Sequence, residues 1–100
     1  MTSYFALVPA AGSGSRMGGT GAKQYLPLCG RPLIYHALRA LCGLSTIRQV
    51  FVVLSAEDAA WGEHDWSAFS GKLSPLFCGG KTRAESVLNG LRAARAFIGN

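Results

Sequence analysis

Tyr4-Phe5-Ala6-Leu7-Val8-Pro9-Ala10-Ala11-Gly12-Ser13-Gly14-Ser15-Arg16-Met17-Gly18 is the stretch on which the fold turns. Tyr4 to Val8 is apolar and rich in β-forming residues, and reads as a buried strand. The chain then passes Gly12, Gly14, Gly18, Gly19 and Gly21, a density that neither a helix nor a strand carries without cost. Glycines at the carboxyl end of a strand let backbone N–H groups cradle anionic oxygens. Arg16 and Lys23 add two cations, and no carboxylate precedes Glu57. Such a loop suits a multiply anionic ligand, and the phosphates of a nucleotide fit it best.

Three familiar loops fail on specific residues. A Walker-type loop needs a lysine after its last glycine, and Thr20 follows Gly19 here. The dinucleotide fingerprint starts correctly at Gly12 and Gly14, but Met17 stands in the third glycine's place, and no acidic residue follows at the distance that binds a ribose. Ser13 and Ser15 do not form the Gly-x-Ser-x-Gly elbow of hydrolases either.

Pro9 to Met17, followed by Lys23-Gln24-Tyr25-Leu26-Pro27-Leu28 and Gly30-Arg31-Pro32-Leu33-Ile34, closely resembles the 2-C-methyl-D-erythritol 4-phosphate cytidylyltransferases. Gly79-Gly80-Lys81-Thr82-Arg83-Ala84-Glu85-Ser86-Val87 is similar to that family's cytidine-binding segment. The phosphate loop alone would also admit other sugar-nucleotide pyrophosphorylases, so the second block carries the narrower reading. The resemblance covers nearly the whole chain. It departs at Ala22, where the family commonly has proline, and this loosens the backbone before Lys23.

The resemblance implies transfer of a cytidylyl group from CTP to a sugar-alcohol phosphate, with release of pyrophosphate, in non-mevalonate isoprenoid synthesis. Arg16 and Lys23 would be the catalytic cations, a planar fork and a compact point charge. Ala10, Ala11 and Gly12 would let the nucleotide pass close to the backbone. Gly80, Lys81, Arg83 and Ser86 would hold base and ribose, the first two through main-chain groups, with Thr82 left to capping. The bland alternatives are solvated loop charges for Arg16 and Lys23, a helix-surface charge for Arg83 and a back-bonded hydroxyl for Ser86. Mg²⁺ is implied as cofactor, with ligands outside this chain, since Glu57, Asp58, Glu63, Asp65 and Glu85 do not match the family's aspartates. A homodimer is implied for the full-length enzyme.

Ten Lys and Arg against five Asp and Glu give a net charge of +5. The basic residues are scattered singly, without the run or interleaved aromatics of a nucleic-acid surface. Phe5 to Ala11 is too short to span a membrane and lacks the basic leader of a secretory signal. Cys29, Cys42 and Cys78 are odd in number and unpaired in spacing, which favours a reducing cytoplasm over a disulfide scaffold or a zinc site.

Pro32 suits the first position of a helix, Leu33, Ala37 and Leu41 with Ile34 and Leu38 give it one apolar face, and Gly43 ends it. His36 on that helix reads as a partly buried structural residue. Val50 to Leu54 is continuously apolar, as in a parallel strand covered on both faces. Residues 57–71 read as a short helix or a loop, with packing the default role for Trp61 and Trp66. Leu76 to Cys78 is a third strand. Thr82-x-x-Glu85 has the form of a capping box, opening a helix with Ala84, Val87, Leu88, Leu91 and Ile98 inward. The order predicts an α/β, three-layer α/β/α nucleotide-binding fold of the nucleotide-diphospho-sugar transferase type, with a mostly parallel sheet. Both blocks fall at its strands' carboxyl ends, where ligands bind in such sheets.

The family's catalytic domain is much longer than this chain, and the chain stops inside a helical pattern. Residues 1–100 are therefore expected to be the N-terminal, nucleotide-binding part of a single, incomplete cytidylyltransferase domain. Two other readings stand beside the first: a ribitol-5-phosphate cytidylyltransferase, and a non-catalytic nucleotide-binding fragment.

Overall fold

Five consecutive residues, Val50 to Leu54, are only 0–1% exposed, and the layers are arranged around them. The computed structural model describes residues 4–11, 23–69 and 71–98. In chain order the elements are β1 (Tyr4–Pro9), the short strands β2 (Pro27–Leu28) and β3 (Arg31–Pro32), α1 (Leu33–Cys42), β4 (Ile47–Val53), β5 (Leu73–Leu76) and α2 (Arg83–Ile98). β4 lies between β1 and β5 and is parallel to both. The continuous apolar run thus marks a strand with a neighbour on each edge and a helix over each face.

Alternation along the strands assigns the faces. Ala6, Val8, Val50, Val52 and Leu54 pack with Ile34 and Leu38 of α1. On the opposite face Leu7 and Val53 lie against Gly90 of α2, and the Phe97 ring meets Phe51 edge-on at 5.2 Å. One helix on each side of a parallel sheet is the three-layer arrangement that the sequence order predicts.

α1 buries part of its expected apolar face, and α2 buries a different stripe from the expected one. In α1 the buried residues are Ile34 and Leu38, while Leu33 and Ala37 face outward. In α2 Ser86, Gly90 and Ala94 are buried, Ala84 is exposed, and Leu88, Leu91 and Ile98 are 48%, 54% and 50% exposed. The cause is close approach. A Cβ on Gly90 would collide with Val53 and come within 3.0 Å of Leu7, so only small side chains fit between helix and sheet.

The third strand runs Leu73–Leu76 rather than Leu76 to Cys78. Pro75 inside it is tolerated because β5 pairs on one side only among the described residues. Residues 57–71 hold two 3₁₀ turns, Trp61–Glu63 and Ser67–Phe69, with Trp61 and Phe69 buried and Trp66 stacked on Trp61 at 3.9 Å. Packing is what these tryptophans do. The β2–β3 hairpin was not expected; Cys29 and Gly30 at its tip have φ of 53° and 80°, the positive values that a type I′ turn requires. His36 supports the hairpin, its Nε2 donating to the Leu28 carbonyl at 2.7 Å. Pro32 stands one residue before α1, and the Gly43 N–H closes its end on Arg39 O.

An apolar groove of about 260 Å³ lies between β1 and α2, lined by Phe5, Leu7, Phe51, Leu91, Ala94 and Ile98. The far edge of β1 pairs with no strand among the described residues. Open edge and open groove together leave apolar surface in water. The 100-residue chain by itself should therefore bind an apolar dye and lack a cooperative melt above about 45 °C. A sharp monomeric transition above that temperature would show that these layers are self-sufficient.

Candidate functional site

The carboxyl ends of the three parallel strands are joined by short hydrogen bonds. Ala10 N–H donates to Val53 O at 2.7 Å, Leu54 N–H to Leu76 O at 2.7 Å and Gly79 N–H to Leu54 O at 2.8 Å. These bonds carry the chain leaving β1 and the chain leaving β5 to the same end of β4. A Cβ on Gly79 would overlap that of Ala11 and sit 3.0 Å from Leu54 O, so glycine is what lets the two segments touch. Where they meet, an opening of about 290 Å³ is lined by Pro9 and Ala11 on one side and by Gly80, Lys81, Thr82, Arg83 and Ser86 on the other.

The second wall is built by the start of α2. Thr82 Oγ1 accepts from Glu85 N–H at 3.0 Å, and Glu85 Oε1 accepts from Lys81 N–H at 2.7 Å, the expected capping box with its return bond one residue earlier. Ser86, 3% exposed, accepts the Gly80 N–H on its Oγ at 3.0 Å and keeps its own proton for another acceptor. Asn89 Nδ2 donates to Cys78 O at 2.8 Å, pinning the approach to Gly79. The positive end of a 16-residue helix faces the opening, and Lys81 and Arg83 line it. No acidic side chain lines it among the described residues. An anion is the ligand such a mouth attracts.

Beyond the glycine-rich stretch, the 3₁₀ turn Lys23–Tyr25 lies against the first wall. Gln24 Nε2 donates to Ala10 O at 2.8 Å. The Tyr25 hydroxyl donates to Asp58 Oδ2 at 2.7 Å, and Asp58 Oδ1 accepts from Trp61 N–H at 3.0 Å. The Tyr25 ring stacks on His64 at 5.7 Å. Burial, then the hydrogen bond and charge of Asp58, push the Tyr25 phenol well above its ordinary value, so it remains a donor at neutral pH. Burial also raises the Cys78 and Cys42 thiols, which leaves them mostly protonated.

Of the residues expected at the site, Ala11, Gly80, Lys81, Arg83 and Ser86 line one opening, with Ala10 buried behind it. Lys23 starts the adjacent turn. Gly12 and Arg16 lie outside the described residues. Thr82 lines the opening as well as capping the helix. Gln24, Asp58 and Asn89 were not expected. Asn89 lies one turn beyond Ser86 on the same helix face, a usable signal, whereas nothing in sequence links Asp58 to Tyr25. The described residues hold no group of three His, Cys, Asp or Glu side chains able to bind a metal ion, and Asp58 and Glu85 already accept backbone or side-chain hydrogen bonds.

The profile of the 2-C-methyl-D-erythritol 4-phosphate cytidylyltransferase family matches residues 4–97. A protein of that name from Azoarcus sp. is 68% identical over 90 residues, which are 90% of this chain and 38% of the relative. Another of the same name from Nitrosospira multiformis is 62% identical over 95 residues, 95% of this chain and 41% of the relative. A crystal structure of 4-diphosphocytidyl-2C-methyl-D-erythritol synthase superposes with a TM-score of 0.75 at 25% identity, over 97% of this chain and 40% of that one. The chain thus spans well under half the length of these relatives.

Three outcomes follow for an enzyme of the relatives' length carrying this sequence. Thr82→Ala should cost about 1 kcal/mol of stability through the lost cap, and Ser86→Ala about 1–3 kcal/mol because the Gly80 amide loses its partner; urea unfolding measures both, and a neutral Ser86→Ala would mean that water replaces the hydroxyl. Tyr25 has a folded value raised above its unfolded 10.0, so its contribution is complete below pH 10 and is lost as pH rises beyond it. Tyr25→Phe should flatten the alkaline limb of the stability profile, and an unchanged limb would contradict the Asp58 tie.

Proposed function

The chain belongs to the 2-C-methyl-D-erythritol 4-phosphate cytidylyltransferase family, and from that premise we propose that it forms the nucleotide-binding part of one catalytic domain. The reaction is transfer of CMP from CTP to 2-C-methyl-D-erythritol 4-phosphate, giving the CDP-linked product and pyrophosphate. The observation that supports this reading is the contact of Ala11 with Gly79, which brings the start of the first block and the second block to one opening.

In the proposed reaction an oxygen of the acceptor phosphate attacks the α-phosphorus of CTP. The new P–O bond forms as the bond from the α-phosphorus to its bridging oxygen breaks, and pyrophosphate leaves with that electron pair. Negative charge spreads over the equatorial oxygens, so catalysis rests on positioning and cations. Arg16 and Lys23 are assigned to that charge. Gly80 and Lys81 hold the nucleotide through the main chain, Arg83 and Ser86 through side chains, and Ala10, Ala11 and Gly12 give it room. Magnesium, where it serves, would be held by carboxylates from the remainder of the enzyme, and no step is derived through it. Three free thiols suit a reducing cytoplasm, and a homodimer is proposed for the complete enzyme.

In an enzyme of full family length, Lys23→Ala and Arg16→Ala should each lower kcat by about 10²–10³-fold, by analogy with loss of one preorganised donor. CTP should outcompete ATP and GTP, since the second block resembles a cytosine-reading segment. Steady-state rates with the methylerythritol and ribitol phosphates as acceptors test the reading directly. Parental turnover in either variant removes that residue from the mechanism, and preference for ribitol 5-phosphate reassigns the acceptor.

A further inference from the structure

We propose that Gln24, Tyr25 and Asp58 are positioning residues, which lock the backbone of the Lys23–Tyr25 turn against the wall of the opening so that the turn from which Lys23 acts is ordered before the substrate arrives. The inference rests on the cytidylyl-transfer reading and adds three residues that act through another.

A 3₁₀ turn of three residues has few internal hydrogen bonds and poor geometry, so it does not hold its own orientation. Here the two residues after Lys23 supply what the turn lacks, and they reach in different directions. Gln24 spans to Ala10 O at 2.8 Å, and Ala10 is itself bonded to Val53 and sits between Pro9 and Ala11 of the pocket wall. Tyr25 reaches Asp58 at 2.7 Å, a short bond to a carboxylate and hence among the stronger kinds. Asp58 in turn is fixed by Trp61 N–H at 3.0 Å, and Trp61 is buried in the core. His64 stacked on the Tyr25 ring restrains its remaining rotation. The turn is thereby fastened to the exits of both β1 and β4, the two strands that shape the opening. Raised well above its usual value, the phenol keeps its donor proton throughout the working range. A turn held in this way loses little backbone freedom when the substrate arrives, which is how positioning contributes to rate.

Tyr25→Phe removes one oxygen and Gln24→Leu removes the amide at nearly constant volume; both are made in an enzyme of full family length, alone and on a Lys23→Ala background. Each single variant is expected to lower kcat at saturating CTP about fivefold or more, with KM for CTP within about twofold. On the Lys23→Ala background, adding Tyr25→Phe should change the residual rate by less than about twofold, because the group it positions is gone. Parental kcat in both single variants overturns the proposal. So does a loss from Tyr25→Phe that persists undiminished without Lys23, since that marks a general structural effect. Those two results leave the cytidylyl-transfer reading standing, whereas parental turnover in Lys23→Ala itself removes both.

Discussion

Complete burial of β4 between two parallel neighbours imposes most of what else the chain must do. Each backbone N–H and C=O of Val50 to Leu54 has to find a partner on one side or the other, and both faces of side chains have to be covered. β1 and β5 satisfy the first demand, α1 and α2 the second. Parallel pairing then forces each connection to cross from one end of the sheet to the other. The three strands β1, β4 and β5 therefore end on the same side, and the chain leaving β1 and the chain leaving β5 meet at the end of β4, bonded through Val53 and Leu54. The opening is a consequence of the strand order before any side chain in it is considered.

Two close approaches refine that geometry. Gly90 lets α2 settle against Val53 and Leu7, and Gly79 lets the segment before α2 touch Ala11. Together they aim the amino end of α2 at the place where the chain leaves β1. The capping bonds of Thr82 and Glu85 and the Ser86–Gly80 bond then hold the first turn open toward a ligand. An anion there would meet oriented dipoles and the Lys81 and Arg83 cations, with no carboxylate among the described lining residues to repel it. Electrostatic preorganisation of this kind is what phosphoryl and nucleotidyl transfer most requires.

Much of this was legible in the sequence, and the misses share a cause. The unbroken apolar run marked β4, because local composition decides such a feature. Thr82-x-x-Glu85 marked the start of α2 for the same reason. The inward face of α2 was misread because hydrophobicity favours Leu88 and Leu91, whereas the sheet admits only Ser86, Gly90 and Ala94. Interlayer distance, not transfer energy, selected that stripe. In α1 the expected face held Leu33 and Ala37 beside Ile34 and Leu38, and only the latter pair is buried, because periodicity alone does not set the exact helix phase. The Tyr25–Asp58 tie joins residues far apart in sequence, so nothing local announces it. Gly12 and Arg16 stand on the sequence motif alone.

Amide chemical-shift mapping with CTP, on an isotope-labelled enzyme of full family length, tests most directly whether the two blocks form one nucleotide site. The largest shifts are expected together at Ala11, Gly80, Lys81, Arg83 and Ser86, saturating at one CTP concentration. Shifts confined to the glycine-rich stretch, or centred on the apolar groove of Phe5, Leu91 and Ile98, would contradict the placement of the nucleotide at the meeting point of Ala11 and Gly79.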